Sequence, residues 1–408
     1  MDSEKTPRTR YVLLVGDGMA DYPIEDLDGR TPLEAAHTPH MDRIAQGRMG
    51  LVQTIPEGME PGSDVANLCL LGYDPRVYHS GRSPLEAASL GVSLAPDDVA
   101  FRMNLVTLDW HPNGEIVMVS HSSGDITTAE SREMIPVLQT GLESPGIRIY
   151  PGVAYRHLLV WSSGPLDART IPPHDVLGRD MAAYLDTGGV NPVPELILSS
   201  WPILREHPVN RRRRADGRLE ANSIWLWGQG RAPRLPRFTE RFGLTGGVIS
   251  AVDLLRGIGI YAGFDPIFVE GATGYLDTNY RGKGEAAIEA LATHDFVLVH
   301  VEAPDEASHN GSLEEKIRAI EAFDEKVVGT VLEGLSACPS FRVMVASDHF
   351  TPICLKTHSR EPAPFAWAGP EDLARSPSQG GFTEKNAAAS GILYKAGHTL
   401  MPDFLGRA

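Results

Sequence analysis

The run Phe296-Val-Leu-Val-His-Val-Glu302 constrains the fold more than any other stretch. Valine stands at 297, 299 and 301, and the positions between them are apolar or imidazole. With no polar alternation to give it a wet face, the run predicts a strand covered on both sides, as in a parallel sheet. Pro304 has no N–H to donate and ends the ladder. Asp305 and His309 then fall on a predicted loop at the strand's carboxyl end, where open α/β sheets gather their ligands. A carboxylate and an imidazole four residues apart can converge on one cation. Beyond them Ser312-Leu-Glu-Glu315 has capping-box form, and Leu313, Ile317, Ile320, Phe323, Val327 and Val331 keep a helical period.

The same grammar recurs at both ends of the chain. Tyr11-Val-Leu-Leu-Val15 is a short buried strand ending in the turn Gly16-Asp17-Gly18-Met19. Phe341-Arg-Val-Met-Val-Ala-Ser347 is another, ending in Asp348-His349. Thr38-Pro39-His40 opens a helix, 49–55 predicts a strand, and Ser63 starts a helical pattern that runs to Leu71. Free N–H groups and the dipole at that helix start favour an anion. From about Gly81 the texture changes. Strands are expected at 101–108, 115–119, 148–150 and 155–161, among helical segments at 127–138, 177–185 and 196–206, with the arginines 211–214 on a solvated loop. Past 225 the alternation returns, with strands at 247–250 and 266–269 and helices at 252–261, 285–291 and 385–394. The expected architecture is an α/β core over 1–80 and 226–408, a mainly parallel sheet between helices, interrupted by a smaller inserted α+β domain over 81–225.

Charge and cysteine usage narrow the function. A net charge of −16 over 408 residues argues against nucleic acid as a partner. Local cations can still hold an anionic small molecule. Cys69, Cys338 and Cys354 have neither zinc spacing nor a disulfide framework, which suits a reducing compartment. No run approaches the ~20 apolar residues of a membrane span, and the first ten residues are polar. A cytoplasmic protein without membrane contact is expected.

Three expected strands thus end in acids, Asp17, Asp305 and Asp348, and three imidazoles, His309, His349 and His398, lie beside them or near the C-terminus. Mixed carboxylate and imidazole ligation without thiolates suits Mn²⁺, Mg²⁺ or Zn²⁺ rather than a structural zinc. Six such ligands are many for one tetrahedral ion and natural for two, and a metal pair clamps both oxygens of an in-line phosphoryl displacement. Ser63, a hydroxyl at a helix start, is the candidate nucleophile.

Taken in order, Asp17, Ser63, Asp305-x-x-x-His309, Asp348-His349 and the late His398 resemble the two-metal set of the alkaline-phosphatase superfamily. Within it the chain is similar to the archaeal-type, cofactor-independent phosphoglycerate mutases. The likeness runs through Gly-Asp-Gly-Met19, Pro-Gly-Ser-Asp-Val-Ala-Asn67, Ser-Pro-Leu-Glu-Ala-Ala88, Tyr-Arg-His-Leu-Leu-Val160, Ile-Trp-Leu-Trp-Gly-Gln-Gly230 and Gly-Ala-Thr-Gly-Tyr-Leu-Asp-Thr-Asn279. The resemblance implies an alkaline-phosphatase-like core and interconversion of 3-phosphoglycerate and 2-phosphoglycerate without 2,3-bisphosphoglycerate. It implies two divalent ions, Mn²⁺ or Mg²⁺ first and Zn²⁺ or Co²⁺ as alternatives. One would be held by Asp305, His309 and His398, the other by Asp17, Ser63, Asp348 and His349. Ser63 would carry the phosphate as phosphoserine while the glycerate, trapped by the inserted domain, reorients.

The implied substrate contacts are His121, Asp125, Arg156, His157, Arg256 and Lys283. Relatives keep an acidic residue just before the position of His121, where this chain has Ser120, so His121 and Asp125 both stand as candidates for the base on the glycerate hydroxyl. The partner expected is a small phosphorylated carboxylic acid, and no feature of the sequence speaks to oligomeric state. The same core could also serve a homoserine kinase-like phosphotransferase or a metal-dependent phosphohydrolase, although no phosphate loop of P-loop type is present.

Overall fold

Val297, Val299 and Val301 are fully buried, and their strand lies between two parallel neighbours. A computed structural model describes residues 8–142, 146–186, 188, 191–376 and 380–407. Its strands are β1 Arg10–Gly16, β2 Arg48–Val52, β3 Asp98–Trp110, β4 Ile116–Ser120, β5 Ile147–Val153, β6 Arg156–Ser162, β7 Ser223–Gly230, β8 Gly246–Ile249, β9 Asp265–Pro266, β10 Phe296–Val301, β11 Phe341–Ser347, β12 Ala363–Ala368 and β13 Leu393–Tyr394. The chain divides into two compact units, Met1–His79 with Arg234–Ala408, and Ser80–Pro233.

The first unit is built on one sheet of order β13-β2-β12-β11-β1-β10-β8-β9. From β9 to β11 every pairing is parallel, and β12 runs antiparallel to both β11 and β2. Val12, Leu14, Val297, Val299, Val343 and Val345 share one apolar cluster with Ile320, Phe323, Val327 and Val331 of the covering helices. Burying each such aliphatic side chain contributes roughly 1.5–3 kcal/mol, so this layer fixes the strand ends firmly. Register then places the chemistry. Gly16 pairs with Val301 on one side and Ser347 on the other, so the residues just beyond, Asp17, Glu302 and Asp348, leave the sheet side by side.

The second unit is an antiparallel sheet of order β4-β3-β6-β5, with β7 also paired to β3. Phe101, Leu105 and Trp225 of this sheet pack with Met134, Ile197 and Val209 of the helices Thr128–Gly141, Pro192–Arg205 and Pro208–Ala215.

Several local expectations need correcting. Asp305 and His309 lie not on a loop but on a short helix, Ala303–Asn310, because Pro304 is tolerated in a helix's first turn as readily as it stops a strand. The arginines 211–214 belong to the helix Pro208–Ala215, and Arg213 is buried rather than solvated. The expected helix at 385–394 stops at Ala389 and continues as β13. Regular structure near 266–269 is limited to Asp265–Pro266, and near 177–185 to the helix Ala182–Leu185. Among the described residues no helix is long and apolar enough to cross a membrane.

Candidate functional site

Ser63 is the first residue of the helix Ser63–Leu70, whose N-cap is Gly62. Its hydroxyl is therefore not used as a cap and turns to the strand ends, 3.1 Å from His349 Nε2 and 3.3 Å from Asp17 Oδ2. Asp17 emerges from β1 and Asp348-His349 from β11, all fully buried. Asn67, one turn along the Ser63 helix, donates to Asp348 Oδ2 at 2.8 Å. The backbone N–H groups of Gly18 and His349 donate to Asp348 Oδ1 at 3.1 and 3.0 Å. Gly18 is required here. It sits at φ 59, and a Cβ on it would lie 2.4 Å from Thr351 Oγ1 and 2.7 Å from Asp305 Oδ1.

Four imidazoles converge on these acids with one shared habit. His309 Nδ1 meets Lys356 O at 2.9 Å, His358 Nδ1 meets Pro61 O at 3.4 Å, His349 Nδ1 meets Thr351 Oγ1 at 3.1 Å, and His300 Nδ1 meets Ser250 Oγ at 3.4 Å. Engaging Nδ1 outward leaves Nε2 to face inward, the arrangement in which a metal-ligating histidine is oriented by its outer partner. The inward atoms fall into three groups: Asp305, His309 and His358; Asp17, Asp305 and His349; and Asp17, His300 and Asp348. His309 Nε2 and His358 Nε2 are 3.0 Å apart, and Asp305 Oδ2 is 3.1 Å from the former.

Electrostatics give the same answer. Burial, then the charges of Asp348, Asp305 and Glu302, hold the Asp17 carboxyl well above its usual range. Burial also pushes Glu302 up and takes His300 down to about 4. His309 is raised to about 9, first by its hydrogen bond to Asp305. Burial opposes the Asp305 charge, but hydrogen bonds from His309 and His358 outweigh it and hold that carboxyl well below normal. Among the described residues Asp17 Oδ1 and His300 Nε2 are buried without a hydrogen-bond partner, although His349 Nε2 is 3.2 Å from the first and Asp17 Oδ2 is 3.0 Å from the second. Acids packed this closely share protons unless cations replace them, so the donor set fits divalent ions.

His398 is a correction. It belongs to none of the three groups, and instead lines a separate cavity with Arg76, Arg360 and Lys395. The third member of the Asp305 and His309 group is His358, which the sequence reading missed. Its Thr-His-Ser setting carries no strand or spacing signal, and only the chain's return past Pro61 brings it in. His300 is not among the expected ligands, yet it is the one polar residue inside an otherwise apolar β10.

Of the expected substrate contacts, Lys283 is fully buried and its Nζ donates to His300 O at 3.2 Å. Burial lowers it to about 8, with Glu302 acting in the opposite sense. The Arg256 guanidinium is engaged by Asp253 and by Ser250 O, whose hydroxyl is in turn 3.4 Å from His300 Nδ1. The other four lie in the second unit. His121, Arg156 and His157 line a cavity of about 210 Å³ together with Arg102, His174 and Trp227. Asp125 is not in its lining and accepts a hydrogen bond from Ser122 at 3.0 Å.

A family model described as 2,3-bisphosphoglycerate-independent phosphoglycerate mutase matches residues 45–210. A protein of that description from Methanosarcina acetivorans is 54% identical over 362 residues, covering 88% of this chain and 90% of its own. A solved structure from Pyrococcus horikoshii superposes with a TM-score of 0.81 at 29% identity, over 99% of both chains. A cofactor-independent phosphoglycerate mutase from Thermoplasma acidophilum does so with a TM-score of 0.65 at 26% identity, over 98% of this chain and 99% of its own.

Proposed function

The chain belongs to the 2,3-bisphosphoglycerate-independent phosphoglycerate mutases, isomerases that interconvert 3-phosphoglycerate and 2-phosphoglycerate, and we propose that Ser63 is the residue through which its phosphoryl group passes. The observation that supports this is the uncapped Ser63 hydroxyl held between His349 Nε2 and Asp17 Oδ2. Asp305, His309 and His358 would hold one divalent ion, and Asp17, Ser63, Asp348 and His349 the other, with His300 beside Asp17. When bound, the ions supply positive charge that lowers the hydroxyl's pKa and neutralises the phosphoryl oxygens. Mn²⁺ or Mg²⁺ suits the mixed donor set best, and Zn²⁺ or Co²⁺ also fits it.

In the forward half-reaction Ser63 Oγ gives up its proton and forms a bond to phosphorus, the bond to the glycerate oxygen breaks, and that oxygen takes a proton. In the return half-reaction the other glycerate hydroxyl attacks the phosphoserine, giving up its proton, and Ser63 Oγ leaves and takes a proton to restore its hydroxyl. The second unit holds the glycerate end of the acid, with Arg156 offered to the carboxylate. His121 is the base for the attacking hydroxyl. Burial and then His174 lower its pKa, which keeps the ring neutral and able to accept a proton. Lys283, buried behind His300, keeps a positive charge near the acids. A phosphorylated metabolite and three free cysteines suit the cytoplasm.

An enolase-coupled assay tests this reading. Chelation abolishes turnover, Mn²⁺ or Mg²⁺ restores it, and Ser63→Ala lowers it by at least ~10³-fold. Turnover by Ser63→Ala close to wild type would overturn the assignment.

A further inference from the structure

His157 stands in β6 with its ring buried, 5% exposed. Its Nδ1 accepts the backbone N–H of Gly152 at 3.1 Å. That N–H is held in place by a tight irregularity between β5 and β6, where a Cβ on Gly152 would lie 2.2 Å from Arg156 O. A ring nitrogen that accepts a hydrogen bond carries no proton, so in the neutral ring the proton is on Nε2. Nε2 is buried and has no hydrogen-bond partner among the described residues. Burial also drives the imidazole down to about 4, with the Ala154 backbone acting in the opposite sense, so the ring is neutral and not a cation.

The ring lines the cavity of about 210 Å³ in the second unit. The cations there are unequally free. Arg102 is paired with Glu86 and stacked on Trp227, 4.5 Å from the ring centroid, whereas Arg156 is exposed and lies over Tyr155. Arg156 is therefore the partner for a carboxylate, and a fixed neutral N–H is the partner for a hydroxyl oxygen.

We propose that His157 is a specificity-determining residue whose Nε2–H donates to a glycerate hydroxyl, and so separates phosphorylated hydroxy acids from deoxy analogues of the same charge. This rests on the reading that the second unit holds the glycerate. A buried donor left without its acceptor costs binding, which is how a site built around a substrate hydroxyl rejects the analogue that lacks it.

Two measurements test it. Long-range nitrogen–proton NMR of the histidine rings in the whole wild-type protein at neutral pH shows His157 as the neutral Nε2–H form, and 3-phosphoglycerate shifts that resonance. A protonated ring, an Nδ1–H form or an unmoved resonance would overturn the proposal, whether or not turnover is seen. In kinetics, His157→Phe raises KM for 3-phosphoglycerate about tenfold with kcat little changed, because a uniform binding contact is lost. Inhibition by 3-phosphooxypropanoate, which has the charges and no hydroxyl, stays as in wild type, and His157→Gln, keeping an N–H near Nε2, recovers part of the loss. Equal weakening for substrate and analogue contradicts the role. Absence of mutase turnover in wild type would count against the functional reading and leave the NMR result to decide this one.

Discussion

Thr351 Oγ1 donates to Asp305 Oδ1 at 2.5 Å. A hydroxyl has one proton, so the 3.1 Å contact between Thr351 Oγ1 and His349 Nδ1 must be a donation from the ring. One side chain thus orients the Asp305 carboxylate and sets the tautomer of the His349 imidazole, which share one candidate ligand group. Its backbone carbonyl is in turn held by the buried ammonium of Lys316 at 3.0 Å. Thr351→Val should weaken divalent metal binding by roughly 10–100-fold, the usual cost of losing such an outer partner, and Thr351→Ser should restore most of it. Calorimetric titration of Mn²⁺ into metal-stripped protein reads this directly. Equal affinity in Thr351→Val and wild type would show that the hydroxyl does not orient the ligands.

His358 and His398 separate the structural assignment from the one the sequence suggested. His358→Ala should cost at least ~10²-fold in turnover and lose one metal equivalent, since an inward Nε2 disappears. His398→Ala should stay within about twofold of wild type, as befits a side chain outside the centre. The reverse pattern would return His398 to the ligand set.

What could be read from the sequence was whatever is carried by short-range pattern. The apolar runs of β1, β10 and β11 announced a parallel sheet, and an acid follows each of them, so Asp17, Asp305 and Asp348 were visible as a set. Ser63 was visible because a helix begins there. His358 was not, since it sits outside any periodic element and reaches the centre only by tertiary packing against Pro61 and His309. The late His398 took its place for want of a spacing that could tell them apart. Arginines 211–214 were misread for a related reason. A run of four cations looks solvated, and only the fold reveals that one of them has partners inside.

That inner cation is Arg213, 1% exposed, paired with Glu130 at 2.8 Å and donating to the carbonyls of Ser123, Gly124 and Leu219. Ser123, Gly124 and Asp125 all have left-handed φ, at 54, 57 and 52. Two of these are not glycine, so the loop carrying His121 is strained and Arg213 holds it. Arg213→Met should cost about 3 kcal/mol, the lower end for breaking a buried pair, seen as a lower urea midpoint. It should also raise KM for phosphoglycerate, because the loop relaxes. A destabilised variant with unchanged KM would confine Arg213 to stability.

Glu384 gives a pH signature away from the centre. Burial raises its carboxyl from 4.5 to about 7, despite hydrogen bonds from Thr31 and the Asp21 backbone and the nearby Lys316 charge. A raised acid binds its proton more tightly when folded, so its contribution is fully present below about 4.5 and is lost as pH rises through about 7. Urea unfolding across that window should show wild type losing stability relative to Glu384→Gln. Parallel curves for the two proteins would mean that Glu384 ionises as freely in the fold as in the unfolded chain.

The central claim is that the phosphoryl group passes through Ser63, and rapid quenching during turnover of 3-phosphoglycerate tests it most directly. Intact-protein mass spectrometry followed by peptide mapping should find one added phosphoryl group, on Ser63, and none in Ser63→Ala. Turnover without any phosphorylated residue, or with the phosphate on a different side chain, would contradict the account.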